Sequence, residues 1–281
     1  MNKITHQTFG KFAIALLMFA FSWTSEGQER ELDVTEGFLI SAGLGYTFAQ
    51  DAPASYYNGA GYLNNLENRI YNNTIAYRQI QQAYNNYDWQ IAQLPQEMFY
   101  ENQMGWLVNI YYYFKDGWGI YGSLQGGQFT AQGLFTTEVF RFNGGATQPF
   151  LELEPIKGVE QRLRYGVGVA KIFSLESPIR PFLELGWEMN WQRAMLNEVE
   201  VAGLQYSIFN GGQSFNPVIQ TAMGSGLDTK LGVQIPMGTQ AIVDAGLDLY
   251  MATFKLRHEA MDAPSPGLDL TLFLRFSTSL F

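Results

Sequence analysis

His258 is the single histidine of this 281-residue chain beyond residue 27, and it stands in the stretch LRHEAMDAPS beside Glu259, Asp262 and Ser265. A histidine oriented by an acid can act as the general base for a serine nucleophile. These residue types therefore suggest hydrolysis or acyl transfer. No nucleophile motif accompanies them, and a lone loop histidine among acids is more often a solvated side chain, so catalysis is the minor interpretation.

Charged residues elsewhere in the chain stand an even number of positions apart, as Glu184 and Glu188 do in PFLELGWEMNW. A carboxylate pair suits general acid and base catalysis. However, charges in alternate positions of an extended segment share one face, and acids and bases on that face can pair. We therefore predict a structural ion-pair network inside the fold, and no metal or other cofactor. Its members are Arg162, Arg164, Glu184, Glu188, Asp228, Lys230, Asp244, Asp248, Asp269 and Arg275.

The elements that position these charges are segments in which apolar and polar residues alternate, the period-two pattern of a β-strand. Asp116-Gly117, between the second and third segments, fits a two-residue hairpin turn. Long and short connections alternate between the eight segments. The eight segments are residues 38–48, 104–114, 118–129, 162–173, 181–191, 226–235, 240–252 and 267–281.

One face of nearly every segment is apolar, and the opposite face carries the charges. If the charged face pointed outward, the apolar faces would meet in a core too large for eight strands to enclose. Lipid outside and a polar lumen inside accommodate both faces. The sequence thus predicts an all-β fold, a closed antiparallel eight-stranded transmembrane β-barrel, with a helical insertion in the first extracellular loop. Aromatic residues near both ends of the segments, such as Trp118 and Trp191, fit two membrane interfaces.

The amino terminus has Lys3 and Lys11 before the apolar run 12–23. This pattern predicts a signal peptide over residues 1–27, which leaves residues 28–281 as an exported outer-membrane barrel. The chain has no cysteine, which excludes disulfides and a lipid-modified cysteine. Its 26 acidic and 17 basic residues, without a basic cluster, exclude nucleic acid as a partner.

Residues 50–103 form the long first loop, in which apolar residues are spaced three and four apart. This spacing predicts a helical stripe ended by Pro95, broken at Asn72-Asn73 or Asn85-Asn86 into a helical hairpin. Two interpretations stay open: a cap that lies on the barrel mouth, or a docking surface for a partner. The stripe consists of Leu63, Leu66, Ile70, Tyr77, Ile80, Tyr84, Tyr87, Ile91 and Leu94.

The last segment, GLDLTLFLRFSTSLF, ends on the aromatic residue Phe281. On these features residues 38–281 resemble the small eight-stranded outer-membrane barrels of Gram-negative bacteria, of the OmpA transmembrane-domain, OmpX and OmpW type. The resemblance implies that Phe281 is the signal read by the barrel assembly machinery during insertion. The apolar face here runs through Leu274, Phe276 and Leu280, one residue out of phase with Phe281. The Tyr- and Asn-rich loops are similar to those of Bacteroidota secreted proteins.

The leading functional hypothesis is a non-enzymatic barrel, surrounded by outer-membrane lipid, with a structural or protein-interaction role. In it, the first extracellular loop joins the protein to a larger outer-membrane complex as an accessory subunit. The second hypothesis is a carrier or narrow channel for small solutes, which a path through the lumen would favour. The third is an outer-membrane lipid-modifying enzyme, which a rim cluster of His258 with a serine and an acid would favour.

Overall fold

Alternating side chains produce long antiparallel strands that close into a ring. A computed structural model describes residues 36–61, 65–141, 148–209, 220–237, 241–254, 256 and 265–279. The strands are β1 (Gly37–Phe48), β2 (Trp89–Gln93), β3 (Met98–Tyr100), β4 (Gln103–Tyr113), β5 (Trp118–Val139), β6 (Phe150–Ile172), β7 (Arg180–Val201), β8 (Leu204–Ser207), β9 (Gln220–Met237), β10 (Ala241–Phe254) and β11 (Ser265–Ser279). Eight of them form the ring β1–β4–β5–β6–β7–β9–β10–β11, and β11 pairs back with β1. The predicted eight-stranded antiparallel barrel is confirmed.

In the half of the ring that contains the short turns, called the lower half, the apolar face of the strands points outward. The opposite half is called the upper half. Leu44, Ile110, Val167, Leu227 and Leu274 come from five different strands, and all are exposed on the outer surface. The residues that alternate with them point inward and are mostly buried. An apolar outer band over a polar interior is the arrangement that hydrocarbon requires, because a closed barrel leaves no strand edge unpaired in lipid.

Strands β5, β6 and β7 are 22, 23 and 22 residues long. A tilted strand crosses the membrane in about 9–11 residues, so roughly half of each strand projects beyond it. The long loops predicted over 130–161 and 192–225 are therefore largely strand, which corrects the sequence prediction. Because short turns mark the periplasmic end of such barrels, these projections are extracellular.

The pattern reverses along the projecting strands. In the lower part of β5, Ile120 and Leu124 point outward; in its upper part Phe129 and Phe135 are buried inside, while Gln132 faces out. The upper half thus has an apolar interior and a mostly polar exterior, like a water-soluble β-sheet. A search for alternating residues with a lipid-facing apolar stripe therefore does not predict these parts of the strands.

The first loop fills the interior of this upper half. It contains a 3₁₀ helix (Ala52–Tyr57), a π-helical turn (Glu67–Tyr71) and helix α1 (Thr74–Ala83). Strands β2 and β3 then pair with β5. Asn85 and Asn86 end the helical region with φ of 58° and 64°. The predicted helical hairpin is therefore wrong in its second half, since Ile91 lies in a strand and not in a helix. None of the helices within the described residues is both long and apolar enough to cross a membrane.

Asn73 begins α1, because its side-chain oxygen accepts hydrogen bonds from the amides of Ile75 at 3.1 Å and Ala76 at 3.3 Å. Replacing Asn73 with alanine is expected to destabilise the helix by about 1 kcal/mol. Hydrogen exchange at the amides of residues 74–83 measures this change. Asn72→Ala is the matched control, because the Asn72 side chain contacts Asn68 on the surface. Equal loss of protection in both variants would contradict the capping role.

Candidate functional site

The barrel lumen gathers all ten charged residues that the alternation selects. Nine of them are buried, and the side chain of Arg164 is 11% exposed. They form three clusters, which follow one another from the periplasmic end outward.

Arg275 is the centre of the periplasmic cluster. Its Nη2 lies 2.7 Å from Glu184 Oε1 and its Nε lies 3.4 Å from Asp244 Oδ2. Tyr111 donates to Glu184 at 2.9 Å, and Ser277 donates to Asp244 at 3.1 Å. Strand register brings these groups together, since Asp244 is directly opposite Arg275. On the other side Arg275 is paired with Gly43, where a side chain would collide with the β11 backbone.

The middle cluster joins Arg164 and Lys230 through shared acids. Arg164 Nη2 lies 2.9 Å from Asp248 Oδ2, and its Nε lies 3.6 Å from Glu188 Oε2. Lys230 Nζ lies 3.6 Å from Glu188 Oε1 and also bonds to Asp228. Each cation therefore contacts two carboxylates, and Glu188 connects the two cations.

The outer cluster contains Glu160, which the sequence analysis missed. Arg162 Nε lies 2.5 Å from Glu160 Oε1, and its Nη1 lies 3.1 Å from Asp269 Oδ2. Tyr57 and Tyr100 also donate to Glu160 Oε2, at 2.9 Å and 3.1 Å. Burial, followed by the charge of Glu160, raises the pKa of Tyr57 well above its usual value. Its hydroxyl therefore stays protonated at neutral pH and serves as a donor.

Glu160 thus joins the lumen to the loop that covers it. Tyr57 belongs to the 3₁₀ helix of the first loop and Tyr100 to β3, whereas Glu160 and Arg162 belong to the barrel strand β6. Glu160 could have been predicted from its position, because it stands two residues before Arg162 and so lies on the same face of the strand. The predicted strand began at residue 162, which left Glu160 in an assumed loop.

The predicted stripe lies mostly inside the upper half. Leu66, Ile70, Ile80 and Tyr84 are buried in one cluster with strand residues such as Phe135. The remaining described members, Tyr77, Tyr87, Ile91 and Leu94, are partly buried against the same cluster. Leu63 lies outside the described residues. Four of the nine predicted docking side chains are therefore buried inside the protein, and four others keep part of their surface exposed.

Hydrogen bonds fix this cap at its outer edge as well. Tyr84 donates to Glu154 Oε1 at 2.7 Å, and the Ala202 amide donates to the same oxygen at 3.0 Å. Burial raises the pKa of Tyr84, so its hydroxyl is also protonated at neutral pH. The first loop is thus bonded to the barrel strands both above and below its apolar core.

A cavity of about 40 Å³ lies at the outer mouth of the lumen, lined in part by Arg162, Arg164 and Asp269. This space suits about one water molecule. Among the described residues no group of three histidines or acids is arranged to hold a metal ion. His258, Phe281 and residues 1–27 lie outside the described residues. The described arrangement is therefore a lumen filled by paired charges and closed by a cap.

A closed antiparallel barrel with a lipid-facing outer band and a charged, filled lumen defines a small outer-membrane β-barrel protein of a Gram-negative bacterium. No known protein family matches the sequence, and no curated protein matches it either.

Solved structures with a similar fold are also small barrels. The attachment invasion locus protein Ail of Yersinia pestis has 13% identity and a TM-score of 0.37, over 86% of this chain and 98% of that one. Neisserial surface protein A has 11% identity and a TM-score of 0.38, over 87% and 97%. The outer membrane protein OprG of Pseudomonas aeruginosa has 11% identity and a TM-score of 0.42, over 86% and 96%.

Proposed function

We propose that this chain is a non-enzymatic outer-membrane barrel whose extracellular half binds another protein, as an accessory subunit of an outer-membrane complex. The observation that carries the proposal is a set of three leucines on the outer face of the projecting strands. Leu134, Leu151 and Leu153 are 56%, 64% and 68% exposed. Other outward positions of these two strands, such as Gln132 and Lys157, are polar, whereas Pro155 between the leucines is apolar.

The three leucines lie on adjacent strands at matching heights. Leu153 is opposite Thr136 and Leu134 is opposite Pro155, so Leu134 and Leu153 are diagonal neighbours across β5 and β6, and Leu151 is two residues from Leu153 on the same face of β6. Diagonal positions in an antiparallel pair lie within reach of each other's side chains. They form an apolar patch, here called the leucine patch, in a region surrounded by water. Exposed apolar patches of this kind mark protein-interaction sites.

The filled lumen and its cap support a structural role for the rest of the molecule. Three clusters of ion pairs occupy the interior from Arg275 to Glu160, and the first loop covers them. This arrangement favours a binding scaffold over a solute channel. The rigid cap core holds β5 and β6 in place beneath the leucine patch, so a partner would meet a preformed surface.

The test is a pull-down of the intact protein in mild detergent. It compares the unchanged chain with a double variant that carries both Leu151→Ser and Leu153→Ser. We expect selective loss of a stoichiometric partner, because each buried leucine contributes about 1.5–3 kcal/mol to an interface. The matched control replaces Gln132 and Lys157, on the same two strands, with serine. A set of bound proteins that is unchanged in the leucine variant, or reduced equally in the control, would refute the proposal.

A further inference from the structure

An open apolar groove runs along the lipid-facing surface of β4, β5 and β6. Two adjoining depressions of about 380 Å³ and 650 Å³ share Ile110, Gly122 and Val167 in their linings. Strand register explains the groove, since Ile110 is opposite Gly122 and Gly122 is opposite Val167. A glycine between two exposed branched side chains leaves a channel with apolar walls. We call this feature the Gly122 groove.

The groove stays open because no side chain of the described residues covers Gly122. A Cβ added there would have its nearest neighbour, the Gly166 carbonyl oxygen, at 3.9 Å. Gly126, four residues along the same strand, also faces outward, but a Cβ there would lie 2.6 Å from the Trp106 ring. Trp106 is directly opposite Gly126 and fills that gap. The same strand thus has one outward glycine that is covered by the protein and one that is open to hydrocarbon.

The periplasmic end of the groove carries two lysines. Lys171 is opposite Trp118 and lies 5.0 Å from its ring centroid, and its Nζ donates to the backbone carbonyl of Asp116. Lys115 is exposed in the same short turn. Lys115 and Lys171 supply two ammonium groups here, and the exposed acids Glu36, Asp116 and Glu176 lie at the same end of the barrel, so the rim has no net positive charge. Lys171 is four residues from Val167, which places it about 13 Å from the level of Gly122 along the strand.

We propose that the Gly122 groove binds one acyl chain of a glycerophospholipid from the periplasmic leaflet, with the lipid phosphate held by Lys115 and Lys171. The groove lies within the apolar band, where its occupant must be hydrocarbon, and a phosphate oxygen can accept hydrogen bonds from the two ammonium groups. Aromatic rings at this end, Phe38 and Tyr112, lie 4.8 Å apart by centroid and border the groove where the acyl chain meets the headgroup region.

Native mass spectrometry of the delipidated full chain tests this assignment, with 1-palmitoyl-2-oleoyl-phosphatidylglycerol as the added probe. We expect one retained phospholipid per barrel, and at least a tenfold smaller retained fraction for Gly122→Leu. Ala245→Leu is the matched control, because it places a leucine at another lipid-facing position, on β10. Lys171→Gln leaves the groove intact and should weaken phospholipid retention about fivefold.

Equal retention by Gly122→Leu and the unchanged chain would overturn the proposal, as would equal loss in Ala245→Leu. Retention of lipid A in place of the phospholipid, when both are offered, would place the site in the opposite leaflet and also overturn it. If Gly122→Leu does not fold, as judged by heat-dependent gel mobility, Lys171→Gln decides alone: undiminished retention then refutes the headgroup contact.

Discussion

Replacing Arg275 with methionine is expected to lower the free energy of unfolding of the barrel by about 3–5 kcal/mol. The substitution keeps an unbranched side chain but leaves Glu184 and Asp244 buried without their cation. Both acids lie in the lumen, where Glu184 and Asp244 are each 1% exposed. Urea unfolding in lipid vesicles, followed by gel mobility, measures the change.

Arg141→Met is the matched control for this prediction, because it removes the same side chain from an ion pair at the surface. Arg141 lies 2.5 Å from Glu152, and both side chains are about one-third exposed. Such pairs contribute about 0–1 kcal/mol. Adding Glu184→Gln to Arg275→Met should recover part of the loss, since the unpaired charge is its main cause. A loss for Arg275→Met no larger than that of the control would contradict the ion-pair network.

Replacing Glu160 with leucine is expected to release the cap while the membrane-spanning half stays folded. The change removes one partner of Arg162 and the acceptor of both tyrosine hydroxyls, Tyr57 and Tyr100. Breaking a buried ion pair costs about 3–5 kcal/mol, and here the cost falls at the junction of the two halves. Hydrogen exchange should show lost protection in α1, with protection in β10 and β11 retained.

Glu152→Leu serves as the control for the cap, because Glu152 is partly exposed and pairs with Arg141. It should leave the protection of α1 within experimental error. Uniform loss of protection through α1, β10 and β11 in Glu160→Leu would show that the two halves unfold together, and the junction described for Glu160 would then be wrong.

The membrane-spanning half was predictable because one physical rule governs it. Between lipid and a narrow lumen, every second side chain must be apolar, and β10 and β11 follow this rule through most of their paired length, as Leu247 opposite Leu272 illustrates. The inward direction of all ten charged residues follows from the same alternation.

The extracellular half escaped sequence analysis for two reasons. Its strands continue, but their apolar face changes from outside to inside near Phe129 of β5. In addition, the pairing of β6 with β7 shifts register between Val159 and Glu160, which leaves Met195 as an extra residue and disturbs the count of alternate positions. The break in the helical stripe after Asn72 was predictable. The spacing of apolar residues three and four apart could not distinguish the strand that contains Ile91 from a helix.

The reversal of polarity along β5 means that no single solvent suits the whole strand. Before insertion, in the aqueous periplasm, the upper half can bury Phe129 and Phe135 against the first loop. The segment with Ile120 and Leu124 is removed from water only when it enters the hydrocarbon of the membrane. The chain can therefore acquire its order in two stages, with the cap collapsing in water and the wall closing at the membrane. A preformed cap would bring β5, β6 and β7 side by side before insertion and so reduce the loop-closure entropy that the rest of the ring must overcome.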